Sequence, residues 1–343
     1  MTFPSIRGSL LGTAVGDALG LPYEGLSRKR VAAFGEIRPR FLLGRGMFSD
    51  DTEHTLMLAA AMHAHRDNVG AFQRGFARKL RWWLLGLPAG VGLSTAKAIL
   101  RLWLGFPPHK SGVRSAGNGA AMRSAIVGAF WADDEAKRRE FALAACRVTH
   151  TDPRAEESAL LVAEAASMAA KGIPTKEVLS SLEIWVTREE MKTRFAALKA
   201  GLETGTSVLE YAAQIGCGHG VSGFAPNTVA VALYAWLRHR GQFEAAIRSV
   251  IECGGDTDTV AAITGGICGI CGAEVGEKGI PPEWITSICE WPRSVAHVRG
   301  VCSALADDSI PMPRLFWPLV LLRNLVFLTV VLLHGFRRLL PPY

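Results

Sequence analysis

The chain has 343 residues, with 38 Lys and Arg against 31 Asp and Glu, a formal charge of +7 and a mean hydropathy of +0.20. These values exclude a disordered, collagenous or small disulfide-stapled protein and fit one large domain or two ordinary ones. After Asp308 no acid remains, while Arg314, Arg323, Arg337 and Arg338 do, so residues 1–308 carry only +3. That body has no Lys/Arg run with interleaved aromatics, so no nucleic-acid partner is expected.

The N-terminal apolar stretch begins like a signal peptide, but Asp17 cuts it and glycines punctuate it, so it reads as mature protein. Gly8, Gly12, Gly16 and Gly20 recur every four residues. On a helix they form one bare stripe, against which another helix or a ligand backbone can come close. Helical spacing then predicts helices over 54–65, 72–85, 135–149, 153–171, 228–239 and 243–253. No β-branched run alternates with polar residues at period two. Short Gly/Pro/Asp/Ser breaks at 44–50, 107–119 and 216–227 separate the helices. An all-α, many-helix domain follows, with its chemistry on those loops.

Seven cysteines, an odd number spread thinly, argue against a disulfide framework and for a reducing, cytoplasmic compartment. Cys268 and Cys271 form a C-x-x-C, yet no second pair or His ligands lie nearby, so they read as core thiols rather than a metal or redox pair.

Residues 309–343 form a hydrophobic, basic tail beyond a domain spanning 1–308. Fifteen Leu, Val or Phe residues between 315 and 336 favour insertion by about 6 kcal/mol, against about 3 kcal/mol for Arg323 at mid-segment. Pro318, Asn324 and His334 offset much of the difference. The segment is long enough to cross a bilayer, with Arg337 and Arg338 as a cytoplasmic-type flank. Two readings follow: membrane association through 315–336, spanning or lying in the interface, or a helix packed on the domain or on a second copy.

Two acidic clusters carry the chemistry: Ser49-Asp50-Asp51-Thr52-Glu53 and Asp256-Thr257-Asp258-Thr259, each after a loop glycine and before an apolar helical run. Helix capping uses one carboxylate and leaves the rest unexplained. Carboxylates and hydroxyls without Cys or His make a hard oxygen set suited to Mg²⁺, Mn²⁺ or Ca²⁺. The second cluster also fits the D-x-D-x-[TV] signature of haloacid-dehalogenase-like phosphatases, with Asp256 as nucleophile. That chemistry expects a buried parallel strand in βα units, whereas 243–253 reads as a helix. Between the clusters, Gly117-Asn118-Gly119-Ala120-Ala121-Met122-Arg123 reads as a loop turning into a helix, whose N–H groups can hold an anion or simply form a tight turn.

In order and spacing, Gly16-Asp17-Ala18-Leu19-Gly20 with Glu24, Ser49-Asp50-Asp51-Thr52, Gly117-Asn118-Gly119-Ala120-Ala121-Met122-Arg123, Thr149-His150 and Gly254-Gly255-Asp256-Thr257-Asp258-Thr259 resemble the ADP-ribosylglycohydrolase family. The likeness runs from about residue 5 to about 291. It implies a compact, largely orthogonal all-α domain with two divalent cations, Mg²⁺ or Mn²⁺, at the floor of an ADP-ribose cleft. Ser49, Asp50, Asp51, Asp256, Asp258 and Thr259 match the family's metal ligands; Ser49 stands where Thr is usual and keeps the hydroxyl. Asp50, Asp51 and Glu24 are the implied catalytic residues, Glu24 matching an acid/base carboxylate of some members. Gly117, Asn118, Gly119, His150 and Phe224 match substrate-binding positions. The implied partner is an ADP-ribosylated protein or an ADP-ribosyl small molecule, cleaved at its glycosidic bond. A catalytically silent ADP-ribose-binding or structural member is the alternative.

Overall fold

The computed structural model describes residues 3–271 and 279–337. Two helices rich in small residues form its centre: α1 (Phe3–Gly20) and, far along the chain, a helix over Thr257–Cys271. They lie against each other along their whole length because both lack side chains at the contact. A Cβ on Gly8, Gly12 or Gly16 would stand 2.1 Å from the carbonyl oxygens of Gly269, Gly265 and Ala261, respectively, and one on Gly20 2.4 Å from that of Thr257. The fit is reciprocal, since a Cβ on Gly265 would stand 2.1 Å from the Gly12 oxygen. The glycine stripe is thus a close helix contact.

The helices that wrap this pair include α2 (Asp50–Ala64), α3 (Val69–Leu85), α4 (Pro153–Ala170), α5 (Ala225–Arg238) and α6 (Phe243–Glu252), followed by the central helix, α7 (Thr257–Cys271), and lastly α8 (Trp317–Arg337). Three start earlier than their apolar spacing predicts, α2 at Asp50, α3 at Val69 and α5 at Ala225; in α2 the added first turn is polar. Asp50 to Glu53 open α2, and Ser49 caps it by accepting from the Asp51 N–H. The fold is all-α. Strand structure among the described residues is confined to a two-stranded antiparallel pair, β1 (Leu26–Ser27) with β2 (Gly254–Gly255), and to isolated bridges. Asp256 therefore follows a two-residue antiparallel strand rather than a buried parallel one. That removes the setting the phosphatase reading requires.

The described free cysteines include Cys146, Cys217, Cys253, Cys268 and Cys302, all buried. The side chain of Cys271 lies outside the described residues, so the C-x-x-C is described only at Cys268.

Candidate functional site

The glycine contact brings two acidic segments, some two hundred residues apart in sequence, to one place. In α1, Asp17 is fully buried and accepts from the Ser49 N–H (2.9 Å), the Thr52 N–H (3.0 Å) and the Thr52 hydroxyl (2.6 Å). It clamps the start of α2 in the orientation that turns Asp50 and Asp51 towards the start of α7. Burial raises the Asp17 pKa to about 7, against the lowering effect of those hydrogen bonds. Asp17 is absent from the site predicted from sequence. Its signal was a single acid inside a helix of small apolar residues, a position that is costly unless the carboxylate has partners.

Asp17, Asp51 and Asp258 each present a carboxylate oxygen within 4.8 Å of the other two. The Ser49 hydroxyl donates to Asp51 Oδ2 (3.0 Å), and the Thr259 hydroxyl reaches the same oxygen at 3.3 Å. Asp51 Oδ1 and Asp258 Oδ1 are buried with no hydrogen-bond partner. Burial, compounded by neighbouring carboxylates, raises Asp50, Asp51 and Asp258 well above the usual range; Asp17 is the foremost carboxylate neighbour of Asp50 and Asp51, and Glu24 that of Asp258. Orphaned carboxylate oxygens among like charges fit a hard cation, the ligand chemistry of Mg²⁺ or Mn²⁺.

Glu24, Asp50, Asp51, Asp256, Asp258 and Thr259 line a cleft of about 500 Å³ together with Gly117, Asn118, Gly119 and His150. β1 and β2 bring Glu24 there: Gly25 N–H donates to Gly255 O at 2.7 Å. Gly255 has a φ of +85°, and a Cβ on it would stand 2.0 Å from Val221 O, so the loop closes only with glycine. Asn118 Nδ2 donates to Asp256 Oδ2 (2.7 Å) and to the Thr228 hydroxyl (3.0 Å), tying the glycine loop to the second acidic cluster.

The segment Asn118–Arg123 is a 3₁₀ turn rather than the start of an α-helix. Its opening amides are already used, Gly117 N–H on the Ser115 hydroxyl and Asn118 N–H on Gly223 O. Arg123 points inward, fully buried, donating to the carbonyls of Gly119 and Ala145 and to the Thr149 hydroxyl, so it is a scaffold residue. The Thr149 hydroxyl in turn lies 2.8 Å from His150 Nδ1, and burial beside Arg123 pushes the His150 pKa down to about 3, keeping the ring neutral. A Cβ on Gly117 would stand 3.3 Å from His150 Nε2, and one on Gly119 3.1 Å from Cε1; glycine keeps that ring edge open. Phe224 stands beside this loop. Its backbone pairs with Gly117, but its ring sits 5.5 Å from the Arg154 guanidinium and 5.6 Å from that of Arg194, and it is not among the cleft-lining residues. Ser49 likewise lies beneath the cleft lining.

Behind the first cluster runs a buried ionic layer. Glu53 turns away from the cleft to Arg293 (2.6 Å) and Trp83 Nε1 (2.5 Å). Glu290 accepts from Arg323 Nε and Nη2, both at 2.7 Å, and from Phe48 N–H. Arg323 Nη2 also donates to Phe48 O (2.7 Å), next to Ser49. Helix α8 is therefore docked on the domain through its one charged mid-segment residue. Asn324 joins it, donating to Gly86 O (2.7 Å).

The family model described as ADP-ribosylglycohydrolase matches residues 2–314, which excludes α8. An uncharacterised protein of Archaeoglobus fulgidus is 32% identical over 295 residues, covering 82% of this chain and 90% of that one. The ADP-ribosylarginine hydrolase Tri1 of Pseudomonas putida is 27% identical over 313 residues, covering 88% and 77%. A solved structure, an ADP-ribosylglycohydrolase-related protein complex, superposes with a TM-score of 0.65 at 27% identity, covering 89% of this chain and 97% of that one.

Proposed function

The chain belongs to the ADP-ribosylglycohydrolase family, and we propose that it hydrolyses the glycosidic bond between ADP-ribose and a modified protein side chain or small molecule, using Mg²⁺ or Mn²⁺ at two positions. Members of the family hydrolyse ADP-ribose linkages. The observation that carries the metal assignment is the convergence of Asp17, Asp51 and Asp258 with unpartnered oxygens on the latter two. Asp50, Asp51, Asp256, Asp258 and Thr259 would hold the cations, with Ser49 at the base. Asp17 Oδ1 accepts from the Ser49 N–H, and Oδ2 from that N–H and from the Thr52 N–H and hydroxyl, so Asp17 positions the ligands. Divalent cations, when bound, supply positive charge to orient the ribose hydroxyls and to lower the pKa of a water nucleophile.

The protein's own contribution is orientation, charge and a proton. Glu24 stands exposed at the cleft edge, facing Asp50 and Asp258, where it can move a proton to or from the leaving atom. The carboxylates oppose the positive charge that gathers on the sugar ring as the bond breaks. In the same cleft, Gly117, Gly119 and the neutral His150 ring leave room for a bound nucleotide, and Asn118 fixes Asp256. Incubation with arginine-linked, serine-linked and nucleotide-linked ADP-ribose tests this reading. Release of ADP-ribose from at least one substrate, stopped by EDTA and restored by Mg²⁺ or Mn²⁺, is expected. Metal-dependent ADP-ribose binding without release from any would make the chain a silent binding member.

A further inference from the structure

The helix over Leu93–Trp103 is apolar on two opposite faces. Thr95, Ala98, Ile99 and Leu102 are buried against the domain. Opposite them, Leu93, Lys97, Leu100 and Leu104 recur at helical spacing and are all exposed, Leu104 by 78%. The Leu104 N–H still bonds to Leu100 O, so it continues the helical geometry. A helix lying in water carries polar residues along such a stripe. Trp103 and Phe106, both exposed at the end of the helix, each lie under a guanidinium, that of Arg81 at 5.4 Å and that of Arg101 at 5.9 Å.

This stripe begins at the cleft. Leu93 is 70% exposed and also lines the cleft, together with Ser94 and the buried Thr95. Leu93 therefore stands at an open edge of the cleft, and the stripe runs on from there through Lys97 and Leu100 to Leu104. Whatever carries the ADP-ribose must stand at the open edge too.

Charge identifies the occupant. Between Asp67 and Asp133 lie nine Lys and Arg and no other acid, so this part of the chain cannot neutralise its own surface. Arg78, Arg81, Lys97 and Arg101 make no ion pair among the described residues. A second copy of the chain would set these cations against themselves, because a twofold contact repeats one patch on both sides. A nucleic acid would meet the cations through its phosphates but give Leu100 and Leu104 nothing to pack on. A protein surface that mixes acidic with apolar residues satisfies both.

We propose that the face formed by Leu93, Lys97, Leu100 and Leu104 docks the protein that carries the ADP-ribose, through acidic and apolar residues of that protein. The inference rests on the hydrolase reading, since the cleft fixes where a target stands. Fluorescence anisotropy reads the face alone, using the full chain and two short labelled peptides without ADP-ribose, one of Glu and Leu at helical spacing and one with Lys in place of each Glu. Binding of the acidic peptide is expected, weakened by salt and at least about tenfold tighter than that of the basic one. Lys97→Glu with Leu100→Gln, at two exposed positions outside the cleft lining, should weaken that binding about tenfold with the thermal melt unchanged. On the acidic peptide bearing ADP-ribose, the same variant should raise KM about tenfold and leave kcat alone. Its hydrolysis of free arginine or serine carrying ADP-ribose should match the wild type. Equal binding of the two peptides, or binding untouched by the variant, overturns the proposal, as does a peptide-indifferent dimer that the variant dissociates. Peptide binding that the variant loses, with no ADP-ribose released from any substrate, would remove the hydrolase reading and keep the face as a docking surface.

Discussion

Gly12 of α1 and Gly265 of α7 pack backbone to backbone, each occupying the space where the other's side chain would stand. This contact sets how near Asp17 lies to Asp258, so the metal site depends on residues that hold no metal. Gly12→Ala places a methyl 2.1 Å from a carbonyl oxygen that has no flexible atom to yield. A loss of about 3 kcal/mol or more in chemical denaturation is expected. The divalent-cation affinity of the surviving folded protein should fall with it.

The raised carboxylates predict an unusual pH dependence. Asp17 titrates near 7 in the folded chain against an ordinary value of 3.8, so between those values the folded state binds more protons than the unfolded one. In EDTA, stability should therefore decline as pH rises from about 4 to about 7, by at most about 1.4 kcal/mol per pH unit for each such group. Asp50, Asp51 and Asp258 shift in the same direction. Thermal melts across this range, with and without Mg²⁺, check the sign, and the cation should flatten the decline.

Arg323→Met strands Glu290 in a buried layer next to Phe48 and Ser49. A loss of about 3–5 kcal/mol is expected by urea denaturation. Arg323→Met with Glu290→Met, which removes both charges, should recover much of it. Because the pair braces the loop that leads to Asp50, the single variant should also weaken Mn²⁺ binding.

Asn118→Ala removes the donor to Asp256 Oδ2 and to the Thr228 hydroxyl while leaving the carboxylates in place. Mn²⁺ affinity or ADP-ribose release should drop about 10- to 100-fold, as for other partners of metal ligands. Far-ultraviolet circular dichroism should be unchanged.

Much of this arrangement was legible in the sequence, for identifiable reasons. The glycine stripe has a period that only a helix turns into one line, and it correctly implied a close backbone approach. The acidic clusters were visible because three oxygen-bearing residues in four exceed a cap's needs. Asp17 stood in the Gly16-to-Gly20 motif without a site role, since its partners come from thirty-odd residues away. The N–H groups of the Gly117–Arg123 loop could be read as an anion site or a tight turn; only tertiary packing shows Arg123 turned inward to Thr149. Arg323 counted against membrane insertion of the tail, but its partner Glu290 could not be known without the fold. The two arginines beside the Phe224 ring, Arg154 and Arg194, likewise come from distant parts of the chain and had no spacing to read.

Mn²⁺ binding followed by electron paramagnetic resonance tests the central claim most directly, in the wild-type chain and in Asp51→Asn and Asp258→Asn. The account predicts saturable binding by the wild type and its loss in both variants, because residues from α2 and α7 share one centre. Wild-type binding left intact by either substitution would contradict it.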